Sequence, residues 1–139
     1  MNIAPKFIVV DDDKFNNALC TMVIRRICPD AEVLTFHDPI EGYDYIINDF
    51  PNFSLKHPVV LLLDINMPVL DGWVFLENLN RYIKAQKQPP AGRLIIYVLS
   101  SSVDRKDIDK AIQYPNVIDY IIKPITKDII LQIVDLLSK

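Results

Sequence analysis

The sequence predicts an α/β fold in which helices cover both faces of a doubly wound, five-stranded parallel sheet. Two observations lead to this prediction. Short and nearly continuous apolar runs recur five times along the chain, as expected for strands that are buried on both faces. A helical amphipathic pattern follows each run, and right-handed crossovers between parallel strands then place helices on both sides of the sheet.

The length and composition fit one domain. The chain has 139 residues, of which 50% are hydrophobic, so it can bury a sizeable core. We therefore expect residues 1–139 to form a single domain. The net charge is −3 and no basic tract is present, so we expect no direct binding to nucleic acid.

Nothing in the sequence indicates a membrane or an oxidising compartment. No apolar run approaches the roughly 18 residues that a membrane span needs, and the N-terminus lacks a signal-peptide pattern. Cys20 and Cys28 fall in one predicted helix, where their spacing puts them about 12 Å apart, too far for a disulfide. We therefore expect reduced thiols, a cytoplasmic location and no membrane partner.

The predicted strands are short apolar runs. In order, they are Phe7–Val10, Glu32–Phe36, Val59–Leu63, Leu94–Leu99 and Val117–Ile122. The third run is unbroken and ends in a carboxylate, which predicts a fully buried strand that surfaces at its end. The second run is the least apolar and predicts a weaker strand.

Prolines bound the first two predicted helices. The first ends before Pro29, and the residues on its predicted inner face are Phe15, Leu19, Met22, Val23, Arg26 and Ile27. The second runs from Pro39 to Pro51, and the residues on its apolar side are Ile40, Tyr43, Ile47 and Phe50.

The last three helices carry apolar faces as well. The third opens at Asp71-Gly72, with Asp71 as its candidate N-cap, and its apolar residues are Phe75, Leu79, Tyr82 and Ile83. A polar, proline-rich loop follows at 86–92. The fourth helix, from about Asp104 to Tyr114, is expected to bury Ile108, Ala111 and Ile112. The fifth, from Thr126 to Ser138, is expected to bury Ile129, Ile130, Ile133, Val134 and Leu137.

Polar side chains stand where four of the predicted strands end. They are Asp11, Asp12 and Asp13 after the first strand, Asp64 after the third, Ser100 after the fourth and Lys123 after the fifth. The carboxyl ends of parallel strands meet at one edge of a doubly wound sheet, which is where such folds place their sites. With the first strand central and the third beside it, Asp11, Asp12 and Asp64 are expected to converge.

Converging carboxylates repel each other, so they must share protons or bind a cation. A set of oxygen ligands without histidine or cysteine suits Mg²⁺ or Mn²⁺ rather than Zn²⁺. Two or three aspartates and one backbone carbonyl are enough for Mg²⁺, which keeps several waters. The alternative is an exposed capping cluster, and Asp13 is expected to cap the first helix in either case.

A metal-bound carboxylate, a lysine and a hydroxyl together suit a phosphoryl group. Asp64 would be the nucleophile that forms an acyl phosphate, while the metal, Lys123 and Ser100 would each neutralise one phosphoryl oxygen. Pro124 suggests a constrained and cis turn that aims Lys123 inward. Lys123 could instead be a surface or salt-bridging lysine, and Ser100 could merely cap the fourth helix, as Ser101 or Ser102 also could.

These residues resemble the response-regulator receiver domain, the CheY-like family of two-component signalling. The resemblance extends from Phe7 to about Leu137. The segments that carry it are Val9-Val10-Asp11-Asp12-Asp13, Leu63-Asp64-Ile65-Asn66-Met67-Pro68 with Asp71-Gly72, Leu99-Ser100-Ser101 and Tyr120-Ile121-Ile122-Lys123-Pro124. The resemblance implies a flavodoxin-like, three-layer sandwich of five helices around a sheet of strand order 2-1-3-4-5.

The resemblance also implies a set of metal and phosphoryl contacts. Asp64 would accept the phosphoryl group and bind Mg²⁺. Asp12 would bind the ion directly, Asp11 directly or through water, and Asn66 through its backbone carbonyl. Lys123 would pair with the phosphoryl group.

A switch and its partners are implied in the same way. Ser100 and the backbone N–H of Ser101 would contact the phosphoryl group, and Tyr120 would swing inward when Ser100 moves. Asn66 and Ser102 would tune the lifetime of the acyl phosphate. The donor would be a sensor histidine kinase or a histidine phosphotransfer protein. The face formed by the fourth helix, fifth strand and fifth helix would bind a downstream protein. Such a domain is no enzyme beyond assisting its own phosphotransfer and autodephosphorylation.

Three other classes compete with this interpretation. A flavodoxin-like cofactor binder would need a glycine- and hydroxyl-rich phosphate cradle where this chain has three carboxylates. A haloacid-dehalogenase-type phosphatase, which also forms an aspartyl phosphate, would need a second carboxylate where Asn66 stands. A receiver-shaped interaction module that phosphorylation does not control would be insensitive to Mg²⁺.

Overall fold

Strands and helices alternate along the chain in the computed structural model, which describes residues 5–54, 56–68, 70–86 and 94–138. The elements are β1 Lys6–Val10, α1 Lys14–Ile27, β2 Glu32–Phe36, α2 Pro39–Asp49, β3 Val59–Asp64, α3 Gly72–Lys84, β4 Leu94–Ser100, α4 Arg105–Ile112, β5 Val117–Ile122 and α5 Lys127–Leu137. A short 3-10 turn, Phe50–Asn52, follows α2. Most of the predicted polar loop, residues 87–92, lies outside the described residues.

The five strands form one sheet in the order β2-β1-β3-β4-β5, and every pairing is parallel. This confirms the predicted fold class. Val10 pairs with both Phe36 and Leu63, and Ser100 pairs with Ile122, so neighbouring strands end close to the same level. The residues that follow the strands are therefore brought to one edge of the sheet.

Alternate residues of the central strands face opposite sides of the sheet. The apolar cluster under α2, α3 and α4 includes Ile8, Val10, Leu61, Leu63, Ile46, Phe75 and Ala111. The cluster under α1 and α5 includes Phe7, Val9, Leu62, Cys20, Ile24, Ile130 and Ile133. All six residues of β3 are buried, as its unbroken apolar run predicts. The result is the predicted three-layer sandwich.

The predicted inner face of α1 is wrong at three positions. Phe15 and Met22 are 79% and 56% exposed, and Arg26 is exposed as well. The buried residues of this helix are Asn16, Asn17, Cys20 and Ile24. Burial of Cys20 and Ile24, together with hydrogen bonds from the two asparagines to Asp11 described below, gives the physical reason for this orientation.

Two isoleucines are also more exposed than their helical patterns predict. Ile40 of α2 and Ile112 of α4 are each 51% exposed. The buried residues of α2 are Pro39, Gly42 and Ile46. The predicted apolar stripe of each helix is wider than the face that packs against the sheet, so residues at its margin stay in solvent.

The α4 helix buries little of its surface, since Ala111 is the one buried residue among its eight residues. Polar contacts add to its attachment. Asp104 caps its N-terminus by accepting a hydrogen bond from the backbone N–H of Lys106, so no serine takes that role. The Lys110 ammonium lies 4.3 Å from the ring centroid of Trp73 in α3. The hydroxyl of Tyr114, just beyond α4, donates to Glu77 of α3 at 3.2 Å.

Asp13 and Asp71 cap α1 and α3, as predicted, by accepting hydrogen bonds from the backbone N–H groups of Phe15 and Trp73. Both cysteines are free thiols. Among the helices that the structure describes, none has the length and apolar character that crossing a bilayer requires.

Candidate functional site

Three carboxylates converge at the carboxyl edge of the sheet. Asp11 follows β1 and is fully buried, and Asp64 is the last residue of β3 and is 3% exposed. Asp12 lies at the surface. One carboxylate oxygen from each of the three lies within 4.8 Å of the others. The convergence that the strand assignments predict is therefore present.

Lys123 enters the cluster from the end of β5. Its Nζ lies 2.8 Å from Asp11 Oδ2 and 3.7 Å from Asp64 Oδ2, and its side chain is 21% exposed. The peptide bond between Lys123 and Pro124 is cis, and the Lys123 backbone N–H donates to the Ser100 carbonyl at 2.8 Å. In this structure the lysine pairs more closely with Asp11 than with Asp64.

Ser100 and Asp64 are joined through Asn66. The backbone N–H of Asn66 donates to Asp64 Oδ1 at 3.1 Å, and its side-chain amide donates to Ser100 Oγ at 3.2 Å. Ser100 is fully buried, and its Oγ also accepts from the backbone N–H of Ser102 at 3.1 Å. Because Ser100 Oγ accepts two hydrogen bonds, its own hydrogen is left to donate. Ser101, beside it, is exposed.

Ser102 connects this site to α4 and to Tyr120. Its hydroxyl donates to Asp107 Oδ2 of α4 at 2.8 Å, and its carbonyl accepts from the Tyr120 hydroxyl at 2.9 Å. The Tyr120 side chain already lies inside, since the residue is only 8% exposed. The swing of this ring remains a prediction, and it requires a second, outward position.

Two asparagines that sequence reasoning missed support Asp11. The Asn16 amide donates to Asp11 Oδ2 at 2.7 Å, and the Asn17 amide donates to the Asp11 carbonyl at 2.9 Å. The backbone N–H of Asp13 donates to Asp11 Oδ1 at 2.9 Å. The sequence feature that could have identified them is a pair of adjacent asparagines inside a predicted helix, where asparagine is an unfavourable residue.

The charges of the cluster shift the proton affinities of its members. Burial raises the pKa of Asp64, the Asn66 N–H lowers it, the charge of Asp11 raises it and that of Lys123 lowers it; the resulting pKa is about 6. Burial alone would lower the pKa of Lys123, but its hydrogen bond to Asp11 and the charges of Asp64 and Asp11 outweigh that effect and raise it. One ammonium facing three carboxylates leaves excess negative charge, which suits a hard divalent cation.

Asp64→Asn is expected to stabilise the metal-free protein at pH 7. The pKa of Asp64 is about 6 in the folded protein and 3.8 ordinarily, so the unfolded chain releases the proton first. The stability that this carboxyl contributes is therefore complete below about pH 4 and lost as the pH rises through about 6. Asparagine removes that loss, so urea denaturation in EDTA should show a gain on the order of 2 kcal/mol at pH 7, vanishing near pH 4.

Asp44→Asn, at an exposed aspartate of α2, is the control and should not reproduce this pH dependence. A metal-free Asp64→Asn protein that is less stable than the wild type at pH 7 would show that burial does not strain this carboxylate.

Sequence comparison identifies the family. Residues 7–135 match the family described as the response regulator receiver domain. The cyclic di-GMP phosphodiesterase response regulator RpfG of Xanthomonas campestris pv. campestris is 30% identical over 118 residues, which are 85% of this chain and 28% of that protein. A protein-glutamate methylesterase/protein-glutamine glutaminase of Methylobacillus flagellatus is 38% identical over 77 residues, 55% of this chain and 19% of that protein. The chain thus spans less than a third of either relative.

Solved structures share the fold over nearly the whole chain. A two-component response regulator from Cytophaga hutchinsonii superposes with a TM-score of 0.81 and 25% identity, covering 99% of this chain and 98% of that one. A chain of the CheX–CheY–BeF3–Mg²⁺ complex from Borrelia burgdorferi gives a TM-score of 0.76 at 21% identity, covering 99% of this chain and 91% of that one. The protein is therefore a member of the response-regulator receiver domain family of two-component signalling, with the CheY-like fold.

Proposed function

We propose that this receiver is a phosphorylation-activated switch of a two-component or phosphorelay system. Asp64 accepts the phosphoryl group from a sensor histidine kinase or a histidine phosphotransfer protein. The observation that carries the proposal is the convergence of Asp64, two further carboxylates and the Lys123 ammonium at one edge of the sheet. Residues 1–139 act as one receiver domain in the cytoplasm, without a nucleic-acid or membrane partner.

The carboxylates of Asp11, Asp12 and Asp64 and the backbone carbonyl of Asn66 hold Mg²⁺, or Mn²⁺ in its place. The donor set supports this assignment because it consists of oxygens alone and carries more negative charge than Lys123 balances. When bound, the ion neutralises charge on one phosphoryl oxygen as a Lewis acid.

The remaining chemistry belongs to the side chains. An oxygen of Asp64 forms a bond to phosphorus while the bond from phosphorus to the donor's histidine nitrogen breaks. Lys123 moves the short distance from Asp11 to a second phosphoryl oxygen. The free hydroxyl hydrogen of Ser100 and the backbone N–H of Ser101 donate to the third phosphoryl oxygen. Asn66 is exposed, and Ser102 half-buried beside it, so these two side chains control the approach of water and the lifetime of the acyl phosphate.

Ser102 provides the route from the site to the output surface. When Ser100 turns toward the phosphoryl group, its hydrogen bond with the Ser102 N–H changes, and Ser102 also contacts Asp107 and Tyr120. Weak burial of α4 makes this helix the element that such a change can shift. The α4–β5–α5 face then binds a downstream protein, as a population shift between two states.

The receiver assists only its own phosphotransfer and autodephosphorylation, and is no enzyme beyond that. Asn66 stands where an aspartyl-phosphate phosphatase would need a carboxylate, and its amide is instead bonded to Ser100. A receiver-shaped interaction module without phosphorylation control would retain the fold but would not respond to Mg²⁺.

The test is intact mass spectrometry after incubation with acetyl phosphate. We expect one phosphoryl adduct that requires Mg²⁺, is absent in EDTA and is absent from Asp64→Asn. Circular dichroism should show that the variant is folded, which makes it a matched control. No adduct, together with no stabilisation by Mg²⁺, would refute the proposal and favour the interaction module. An adduct that persists in Asp64→Asn would refute the assignment of the acceptor.

A further inference from the structure

The orientation of α1 buries two amides and leaves a large apolar side chain in solvent. Asn16 and Asn17 are 6% and 4% exposed, whereas Phe15, the residue before them, is 79% exposed. One residue corresponds to about 100° around a helix, so burying the phenyl ring would need a rotation of about that size, which would also turn Cys20 and Ile24 out of the core. Burial favours a phenyl ring and disfavours an amide unless the amide is hydrogen-bonded. The orientation that buries Cys20 and Ile24 therefore requires hydrogen-bond partners for both amides.

Asp11 provides partners for both amides. Asn16 Nδ2 lies 2.7 Å from Asp11 Oδ2, and Lys123 Nζ lies 2.8 Å from the same oxygen. The other oxygen, Oδ1, accepts one hydrogen bond, from the Asp13 N–H. Oδ2 is thus occupied by two donors, while Oδ1 keeps a lone pair for a cation. Asn17 holds the Asp11 carbonyl at 2.9 Å, which fixes the backbone of the same residue.

We propose that Asn16 is a positioning residue of the metal site, whose amide fixes the rotation of the Asp11 carboxylate so that Oδ1 faces the cation. This inference rests on the proposed function. Lys123 is shared between Asp11 and the phosphoryl group, so it leaves Asp11 Oδ2 during transfer. Asn16 stays in place, because it is held in the first turns of α1. It therefore keeps the buried carboxylate bonded and oriented when the lysine departs.

The test is direct binding of Mn²⁺, measured by electron paramagnetic resonance on the unphosphorylated full chain. Loss of a residue that orients a metal ligand weakens binding by about 10- to 100-fold, and we expect about 10-fold for Asn16→Ala. Ile24→Val is the matched control: it lies in the same helix, is fully buried and lowers stability without removing a bond to Asp11. It should bind Mn²⁺ as the wild type does. Asn16→Ala binding within twofold of the wild type would overturn the proposal.

A second readout separates positioning from general damage. The Mg²⁺ concentration for half-maximal phosphorylation by acetyl phosphate should rise in Asn16→Ala by the same factor as the Mn²⁺ dissociation constant. The rate at saturating Mg²⁺ should stay within twofold of the wild type. A lower saturated rate with an unchanged half-saturation would indicate structural damage and overturn the assignment.

The outcomes also distinguish this inference from the proposed function. A wild type that binds no Mn²⁺ refutes the metal site itself, and the positioning role with it. A wild type that binds Mn²⁺ and an Asn16→Ala variant that binds it equally well refute only the role of Asn16. If Asn16→Ala does not fold, Asn16→Ser replaces it, because the shorter side chain removes the same donor from Asp11.

Discussion

Lys123→Met is expected to slow phosphorylation of Asp64 by about 100- to 1,000-fold, the usual effect of removing one donor to a developing oxyanion. The same change should tighten Mg²⁺ binding to the unphosphorylated protein. The ammonium lies 2.8 Å from Asp11 and 3.7 Å from Asp64, so it competes with a divalent cation for the same carboxylates. The initial rate of phosphorylation by acetyl phosphate at saturating Mg²⁺ measures the first effect. The dissociation constant for Mn²⁺ measures the second.

Because phosphorylation is expected to slow while metal binding tightens, general damage to the fold cannot produce the predicted result. A variant that was only misfolded would lose both phosphorylation and metal binding. Lys127→Met is the control, because Lys127 is an exposed lysine in the first turn of α5, and it should change neither quantity. Weaker metal binding in Lys123→Met would show that the lysine organises the carboxylates rather than competing for them.

Gly72→Ala is expected to destabilise the fold by about 3 kcal/mol, as overpacking at a rigid contact does. A Cβ at this position would lie 2.3 Å from Ile65 Cα and 2.5 Å from the Asp64 carbonyl oxygen. Both atoms belong to the backbone at the end of β3, so α3 must move away or the Asp64 segment must shift. The variant should therefore unfold at a lower urea concentration and, where folded, accept phosphate more slowly.

Gly42→Ala gives the matched comparison in α2. Its Cβ would meet two side chains, lying 2.9 Å from Val10 Cγ2 and 3.2 Å from Phe36 Cβ. These contacts are longer than those at Gly72 and involve no backbone atom, and alanine favours a helix over glycine by about 1 kcal/mol. Val10 is nevertheless buried and Phe36 Cβ moves only with its strand, so we expect a loss of about 1 kcal/mol, smaller than that of Gly72→Ala. Equal losses in the two variants would contradict the assigned role of the close backbone contact at Gly72.

The strands and the edge that holds the site could be predicted from sequence because both depend on local patterns. An unbroken run such as Val59–Leu63 has few alternatives to a buried strand, and the observed β3 extends it by one residue, to Asp64. Once the strands are assigned, parallel geometry brings the residues after them to one edge, and placing the first strand beside the third brings Asp11 and Asp64 together. The predicted convergence therefore needed no knowledge of side-chain rotamers.

The orientation of α1 could not be predicted, because it depends on partners that are distant in three dimensions. Apolar periodicity alone places Phe15 and Met22 inward. The observed orientation buries Cys20 and Ile24 instead, together with two asparagines whose hydrogen bonds to the carbonyl and carboxylate of Asp11 form only when β1 and α1 are packed. The closer pairing of Lys123 with Asp11 than with Asp64 is likewise a matter of tertiary geometry.

The contact between α3 and α4 gives this protein an optical reporter that needs no dye. Trp73 is the single tryptophan of the chain, so all indole emission arises from the place where Lys110 of α4 covers its ring at 4.3 Å. A displaced α4 carries that ammonium away from the ring and changes the electric field that the excited indole experiences. Stopped-flow fluorescence can therefore follow the helix in real time, while mass spectrometry follows the phosphoryl group, and the delay between the two traces is the time constant of the switch.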